Sequence, residues 1–252
     1  MSSRGHQART IGTDEPVAVA VVEAIHAGDV NRLNGLLADN PDLVLARLGD
    51  DDEQGMSRSV IHVATDWPGH FPNVGATMAA LVAAGADVNA RFRGPHTETP
   101  LHWAASSDDV DALDALVDAG ADVEAPGAVI ADGTPLTDAT AFGQWNAARR
   151  LVERGARTPL REAAALGLMD RVEQYCSGDS RPSSGELTQA LWYACHGGQK
   201  NVAEYLLDLG AELNWISTWD GLTPLDAARR SEAHEIAEWL QSRGAKSAND
   251  PI

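Results

Sequence analysis

The stretch "ETPLHWAASSDDVDALDALVDAGADVEA", Glu98 to Ala125, decides the fold of this chain. Thr99 stands where a helix N-cap is expected, and Pro100 stands in the first turn, where its missing N–H costs nothing. A second apolar segment, "VDALDALVDAG", ends at Gly120, a residue suited to a left-handed helix cap. The stretch therefore predicts two short helices joined by a tight turn.

The same pattern recurs at a fixed spacing along the chain. The tripeptide TPL occurs at four places: Thr99–Leu101, Thr134–Leu136, Thr158–Leu160 and Thr223–Leu225. In three of these units the dipeptide GA follows the leucine after 19 residues: Leu101 to Gly120, Leu136 to Gly155 and Leu225 to Gly244. A constant spacing of this kind indicates repeated structural units.

The motif "TPLHWAA", followed by an apolar helix and by "GADVNA" or "GADVEA", resembles the ankyrin repeat. The resemblance extends over roughly residues 16 to 246 and implies an all-α solenoid of helix-turn-helix units with short hairpin-like loops. We count seven repeats, of which the terminal ones and the fifth and sixth are degenerate. We predict a disordered N-terminal tail over residues 1–14, one ankyrin repeat domain over 15–246 and a C-terminal tail over 247–252.

The charge of the chain narrows the classes of partner. Acidic residues outnumber basic ones 37 to 19, and the net charge of −18 would repel the phosphates of nucleic acids. No segment has the apolar length that a membrane span or a secretory signal needs. We therefore expect a cytoplasmic monomer that binds neither nucleic acid nor membrane. Only Lys200 and Lys246 are lysines, a bias typical of GC-rich genomes that favours a bacterial source.

Catalytic motifs are missing from the sequence. It contains no HExxH, GxSxG, GxxxxGK[ST] or CxxC pattern, which would indicate a metalloprotease, a serine hydrolase, a phosphate-binding loop or a zinc site. Cys176 and Cys195 lack the spacing of metal ligands, and we expect both to be reduced core residues. We predict no catalytic residue, no metal and no cofactor.

The helical phase of each first helix predicts which side chains face outward. At 100° per residue, Leu101, Ala104 and Ala105 share one face, which we assign to the core, and Trp103 lies opposite them. In ankyrin-like arrays the first helices and hairpin tips line a concave groove, so the resemblance implies that Trp103 faces this groove. The same offsets predict the following partner-binding residues: Asp66, Trp67, Trp103, Ser107, Asp138, Phe142, Glu162, Tyr193 and His196.

Aromatic rings and carboxylates predominate in this set. The combination suits a cationic ligand, because a guanidinium or an amine can stack on the rings and pair with the carboxylates. We expect a scaffold that captures a protein partner, through a basic segment, in its groove. The alternative is a small-molecule binder or an enzyme, with a pocket formed by the first helices and hairpins of repeats two to five.

Structural roles compete with these interpretations. A large residue between neighbouring first helices can be packing filler, so Trp67 and Trp103 could be half-buried. His62 and His102 occupy the histidine position of the TPLH motif, for which the resemblance implies hydrogen bonds to the backbone of adjacent hairpins. The alternative is a metal site or an acid–base pair formed by His62, Asp66, His70 and Asp138.

The repeat pattern is broken at two places. From Ile61 to Gly85 the spacing is 24 residues instead of 19, which places five extra residues around "WPGHF". Such an insertion is either neutral drift in a loop or an added lip on the groove. The fifth repeat begins at Thr158, three residues after Gly155, so the hairpin before it is expected to be absent.

Overall fold

The computed structural model describes residues 9–50, 52, 55–178 and 181–250. The chain packs as two compact units, residues 1–156 and 157–252. The first unit contains, in order, β1 (Thr10–Ile11), α1 (Pro16–His26), α2 (Val30–Asp39), a 3-10 helix (Pro41–Leu45), β2 (Arg47–Gly49), β3 (Ser57–Ser59), α3 (Val60–Val63), α4 (Val74–Ala83), α5 (Pro100–Ser106), α6 (Val110–Asp118), α7 (Pro135–Ala141) and α8 (Trp145–Glu153). The second unit contains α9 (Leu160–Ala165), α10 (Met169–Ser177), α11 (Ser184–His196), α12 (Lys200–Asp208), α13 (Pro224–Arg230) and α14 (His234–Ser242).

The described helices follow one another as short pairs, so the predicted all-α architecture is confirmed. The number of repeats stays a prediction, as does the single domain over residues 15–246. Within the described ranges, the helices all fall short of the length and apolar character that crossing a bilayer requires.

The TPL tripeptide begins helices in the way that its composition predicts. In α5, Thr99 is the N-cap and Pro100 the first helical residue, and the Thr99 N–H donates to His102 Nδ1 over 3.1 Å. In α13, the Thr223 hydroxyl accepts from the Asp226 N–H over 3.3 Å, while the Asp226 carboxylate accepts from the Thr223 N–H over 3.2 Å. These reciprocal bonds satisfy N–H groups that the helix itself leaves without partners. The unit at Thr158 differs, because α9 begins only at Leu160.

The GA glycines end the second helices in a left-handed conformation. Gly120 has φ 95° and Gly155 has φ 98°, values that a residue with a side chain rarely adopts. The predicted core face of α5 is also confirmed, since Leu101, Ala104 and Ala105 are completely buried. Both cysteines, Cys176 and Cys195, are free thiols inside the second unit, as expected.

A small sheet near the start of the chain was not predicted. It has the order β1-β2-β3, in which β1 runs parallel to β2 and β2 antiparallel to β3. The prediction of a disordered tail over residues 1–14 is therefore wrong for Thr10 and Ile11, while residues 1–8 lie outside the described part. At the other end, the Ala248 N–H donates to Asp226 Oδ2 over 2.8 Å, which holds part of the predicted tail on α13. Residues 251–252 are not described.

Candidate functional site

The inserted loop between α3 and α4, residues 64–73, is anchored by its own side chains and backbone. His70 lies against the end of α5, where its N–H donates to Asp109 Oδ2 over 2.6 Å and its Nε2 lies 3.0 Å from the carbonyl oxygen of Ser107. Phe71 stacks on His26 at the end of α1, with ring centroids 4.1 Å apart and an interplanar angle of 10°. The loop is thus held at α1 and α5, the first helices on either side of α3.

Trp67 stands at the outer edge of this anchored loop, with 86% of its surface exposed. Sequence analysis placed Asp66 and Trp67 on the first helix of the second repeat, and this was wrong, because α3 ends at Val63. The physical reason lies in the insertion. Pro68 disfavours the helical conformation in Trp67, which therefore lies outside α3. The insertion forms an exposed loop, and its interpretation as a lip on the groove stays a prediction.

Trp103 lies across from this loop and is partly buried. Its ring meets His62 edge-on, with centroids 4.8 Å apart, and Phe92 with centroids 5.5 Å apart. Trp103 thus combines the two roles considered for it, packing between helices and exposure at the surface. It fills space between α3 and α5, and its remaining surface faces outward.

Between the two tryptophans lies an open pocket with a volume of about 430 Å³. It is lined by His26, Arg58, Thr65, Asp66, Trp67, Trp103, Ser106 and Ser107. Four of the predicted site residues, Asp66, Trp67, Trp103 and Ser107, therefore come together around one opening in the first unit. Phe142 is 46% exposed at the end of α7 but does not line this pocket.

The lining residues that the sequence did not indicate include His26 and Arg58. His26 lies two repeats before Ser106, and aligning "HAGDV" at 26–30 with "SSDDV" at 106–110 would have found it. Arg58 lies in β3, for which the repeat pattern gives no signal. Both side chains lie close to the Asp66 carboxylate and therefore affect the charge of the pocket.

The charge of Asp66 is compensated within the protein. Its Oδ2 lies 2.9 Å from Arg58 Nη2 and 3.3 Å from His26 Nε2. Burial raises the pKa of Asp66, and the neighbouring Arg58 and His26 oppose this effect. The expectation that Asp66 presents a free negative charge to a partner is therefore corrected. Asp66 pairs with Arg58 and His26, which line the same pocket.

Asp138 is completely buried, which differs from its predicted place on the groove surface. The hairpin before α7 folds over it, and the Ile130 N–H donates to its Oδ1 over 3.3 Å. In the described part of the chain its Oδ2 has no hydrogen-bond partner. Burial above all, with the nearby Glu98 carboxylate, raises the pKa of Asp138 to about 7, against the hydrogen bonds from Ile130 and Val129.

We expect Asp138 to make the stability of the first unit depend on pH. An unfolded aspartate loses its proton near its ordinary pKa of 3.8, whereas folded Asp138 keeps it up to about 7. Between these values the folded state binds the extra proton, so the free energy of unfolding falls as the pH rises. At about pH 8, Asp138→Asn should raise that free energy by on the order of 2–4 kcal/mol, since one pKa unit corresponds to about 1.4 kcal/mol.

Urea denaturation of both proteins across this pH range measures the effect. The difference between wild type and Asp138→Asn isolates Asp138 from His62 and His102, which titrate in both. Two parallel curves would show that Asp138 is ionised in the folded chain over the whole range.

Three predicted site residues lie in the second unit and are buried there, which corrects their expected exposure. Glu162 is 1% exposed, Tyr193 4% and His196 6%. The Tyr193 ring lies beneath the guanidinium of Arg161, 5.7 Å from its centroid, and the ring of Trp219 lies 6.1 Å away. His196 Nδ1 lies 2.6 Å from the hydroxyl of Ser231 on the following repeat. Trp219, on the hairpin before α13, covers Tyr193, an effect that helical phase alone does not predict.

Trp192, which sequence analysis did not single out, is the centre of that cluster. It is 2% exposed, and its indole N–H donates to the carbonyl of Leu222 over 3.2 Å. Trp219 meets it edge-on at 5.2 Å, and Trp219 also contacts Trp215 at 5.3 Å. These contacts fasten the hairpin before α13 to the repeat that carries Trp192.

The two motif histidines hydrogen-bond neighbouring hairpins, as the resemblance implies. His62 Nε2 lies 3.2 Å from the carbonyl oxygen of Glu98, and His102 Nε2 lies 3.4 Å from that of Gly133. Because His102 Nδ1 accepts the Thr99 N–H, its Nε2 carries the proton that is donated to Gly133. Burial lowers the pKa of His62 to about 3 and that of His102 to about 4, which keeps both neutral.

The alternative cluster of His62, Asp66, His70 and Asp138 does not assemble. His62 contacts Ser59 and Glu98, Asp66 contacts Arg58 and His26, and His70 contacts the end of α5. Across the described ranges, no group of three or more His, Cys, Asp and Glu side chains is arranged to hold a metal ion.

Comparison with known proteins gives a consistent match. The family model described as ankyrin repeats in three copies matches residues 24–162 and 160–250. An ankyrin repeat and KH domain-containing protein of Caenorhabditis briggsae is 30% identical over 186 residues, which are 70% of this chain and 7% of that protein. The E3 ubiquitin-protein ligase Ufd4 of Drosophila melanogaster is 36% identical over 91 residues, which are 35% of this chain and 3% of the ligase. The chain thus spans a small fraction of the length of these relatives.

Proposed function

The chain belongs to the ankyrin-repeat family, and from that premise we propose that it is a protein-binding module whose partner docks on the pocket between Trp67 and Trp103. Ankyrin repeats are generally protein–protein interaction modules. The matched segments are too small a part of the relatives to transfer an activity from their names. The proposal therefore depends on the surface of this chain.

The observation that carries the proposal is the exposure of Trp67 on an anchored loop. An 86% exposed tryptophan loses contact with water only when a partner covers it, and tryptophan is enriched among residues that contribute most to binding energy. Because His70 and Phe71 fix the loop on both sides, little conformational entropy remains to be lost on binding. Trp67 is thus positioned in advance for a partner.

The shape of the pocket favours one inserted side chain. Trp67 and Trp103 border its apolar sides, and the hydroxyl-bearing Ser106 and Ser107 lie at its rim. A planar or apolar side chain can enter between the two rings, and an arginine of the partner can stack on Trp67. A segment that presents such an anchor would bind one copy of the chain.

Asp66 is already compensated and so gives no reason to expect a basic partner. The net negative charge of the whole first unit does favour one. Residues 1–156 contain 23 acidic and 10 basic side chains, a larger excess than in residues 157–252, which contain 14 and 9. Charge of this kind increases the association rate with a basic segment over distances longer than a contact. We propose that the partner segment carries arginine or lysine beside its anchoring side chain.

We expect binding to weaken as salt is added. Raising the sodium chloride concentration from about 0.05 M to about 0.5 M shortens the screening length severalfold, which should slow association and weaken affinity about tenfold or more. Stopped-flow measurement of the association and dissociation rates checks this, since the effect should fall mainly on association. Rates independent of salt would contradict a basic partner while leaving the aromatic contact in place.

Affinity capture from a lysate of the source cells tests the proposal itself. Native protein and the Trp67→Ala variant serve as parallel baits, and bound proteins and small molecules are both identified by mass spectrometry. A protein captured by the native bait and lost with Trp67→Ala supports the proposal. Capture of a small molecule alone would instead favour the alternative of a ligand pocket, for which a volume of about 430 Å³ suffices.

A further inference from the structure

A second cavity in the first unit, about 460 Å³ in volume, lies beside the small sheet and shares no lining residue with the tryptophan pocket. It is lined by Arg9, Asp42, Val44, Leu45, Arg47, Ser59, Ile61, Asp87, Ala90 and Arg91. Three arginines thus converge on one opening of a chain whose net charge is −18. This cavity takes no part in the proposed partner site.

Arg47 is held in this cavity by neutral acceptors. Its Nε donates to the Ser57 hydroxyl over 2.9 Å, and its Nη2 donates to the carbonyl oxygens of Ser57 and, over 3.0 Å, of Arg91. Burial and the neighbouring Arg93 both lower the pKa of Arg47. A guanidinium that is partly removed from water beside a like charge carries an electrostatic cost that a bound anion would offset.

Arg91 is held in the same way. Its Nη1 donates to the carbonyl oxygens of Thr97, over 3.1 Å, and of Pro126. Within the described residues, neither Arg47 nor Arg91 forms a salt bridge with a carboxylate. Arg9, the third arginine of the cavity, lies 3.7 Å from Glu15 Oε2. Several arginines elsewhere in the described chain also pair with a carboxylate: Arg32, Arg58, Arg150, Arg154, Arg230 and Arg243.

The remaining walls determine which anion fits. Val44, Leu45, Ile61 and Ala90 form an apolar side, and Leu45 is 55% exposed although it is a large aliphatic residue. Asp42 and Asp87 also line the cavity, and their carboxylates would repel a doubly charged phosphate more than a singly charged group. Guanidinium groups bind planar carboxylates through two parallel hydrogen bonds. We propose that this cavity binds a carboxylate that adjoins an apolar group.

Two sources could supply such a group: the carboxyl terminus of a peptide chain that ends in an apolar residue, or a free apolar acid. The cavity recognises the chemistry that both share. Leu45 would contact the apolar group, while Arg91 and Arg9 would contact the carboxylate.

Isothermal titration of the full chain with N-acetyl-leucine tests this inference. Binding is expected with N-acetyl-leucine, and binding at least about tenfold weaker with N-acetyl-leucinamide, which has the same apolar group without the charge. Inorganic phosphate should also bind more weakly than the acid. Equal binding of acid and amide, or no binding of either, would overturn the inference.

Substitutions of single arginines test whether N-acetyl-leucine binds in this cavity. Arg91→Gln and the exposed Arg9→Gln should each weaken binding of N-acetyl-leucine several-fold, and Arg32→Gln, which removes an arginine paired with Glu23, should leave it unchanged. Because Arg91 also holds two hairpin carbonyls, its variant is accepted only if circular dichroism shows native folding; Arg9→Gln tests the site independently of that contact. An unchanged affinity in both Arg9→Gln and a folded Arg91→Gln would overturn the inference.

Trp67→Ala should not affect this titration, which separates a failure here from a failure of the proposed partner site. A hexapeptide ending in leucine serves as a second probe. Tighter binding of the peptide than of N-acetyl-leucine assigns the site to a chain terminus, and equal binding assigns it to a free acid.

Discussion

Replacing Trp67 with alanine is expected to weaken partner binding about thirtyfold or more and to leave folding nearly unchanged. Truncation of a central aromatic contact typically costs at least about 2 kcal/mol of binding free energy. The folded chain loses little, because 86% of the Trp67 surface is exposed and a surface substitution usually shifts stability by no more than about 0.5 kcal/mol. Titration calorimetry with the captured partner, together with urea denaturation of the free variant, measures both quantities.

The matched control for this prediction is Trp219→Ala. Trp219 is also an exposed tryptophan, at 47%, but it lies in the second unit and packs on Trp192 and Trp215. Its replacement should leave partner binding within about twofold of the native value. Equal losses in Trp67→Ala and Trp219→Ala would mean that the binding energy does not come from the pocket of the first unit.

Replacing Trp192 with alanine is expected to destabilise the second unit by about 3–5 kcal/mol, the range typical of a large aromatic residue removed from a core. Trp192 is 2% exposed, and its loss would remove the packing surface of Trp219 and one of two donors to the Leu222 carbonyl, the other being the Ser217 N–H. Hydrogen exchange should therefore accelerate throughout residues 157–250.

A conservative control separates this effect from a general sensitivity of the hairpin. Ile216 lies in the hairpin that carries Trp219, and its side chain is 51% exposed. Ile216→Ala should lower the free energy of unfolding by less than about 1 kcal/mol. If Trp192→Ala were as mild as Ile216→Ala, the aromatic cluster would not be the core of this region.

The repeat fold was predictable because its signals are local. Thr99 and Pro100 begin a helix through bonds within one turn, and Gly120 ends the next through its own φ angle. The face of α5 that carries Leu101 follows from helical geometry alone. Each of these features depends on residues within a few positions of one another, so a spacing pattern suffices to find them.

The site was less predictable because it depends on contacts between distant segments. Asp138 is buried by the hairpin around Ile130, and Tyr193 by a hairpin that brings Trp219 over it. Helical phase describes one helix at a time and could not predict what covers these residues. Trp67 was assigned to the surface with the wrong secondary structure, since the insertion ends α3 early.

The small sheet also depends on contacts between distant segments and was not predicted for that reason. Arg47 pairs with Ser59, and Thr10 with Arg47, across loops that carry no repeat signal. Short strands of two or three residues have too few positions for an alternating pattern to emerge. The arginine-lined cavity beside the sheet was invisible to sequence analysis for that reason.

The most direct test of the central claim, that the partner docks between Trp67 and Trp103, is photocrosslinking from inside the pocket. A photoreactive residue is introduced in place of Ser107, which lines the pocket, and in a second protein in place of the exposed Thr218 beside Trp219. After irradiation with the captured partner, mass spectrometry identifies the crosslinked peptides. The account predicts a crosslink from position 107 to one segment of the partner and none from position 218. A crosslink from position 218 alone would contradict it.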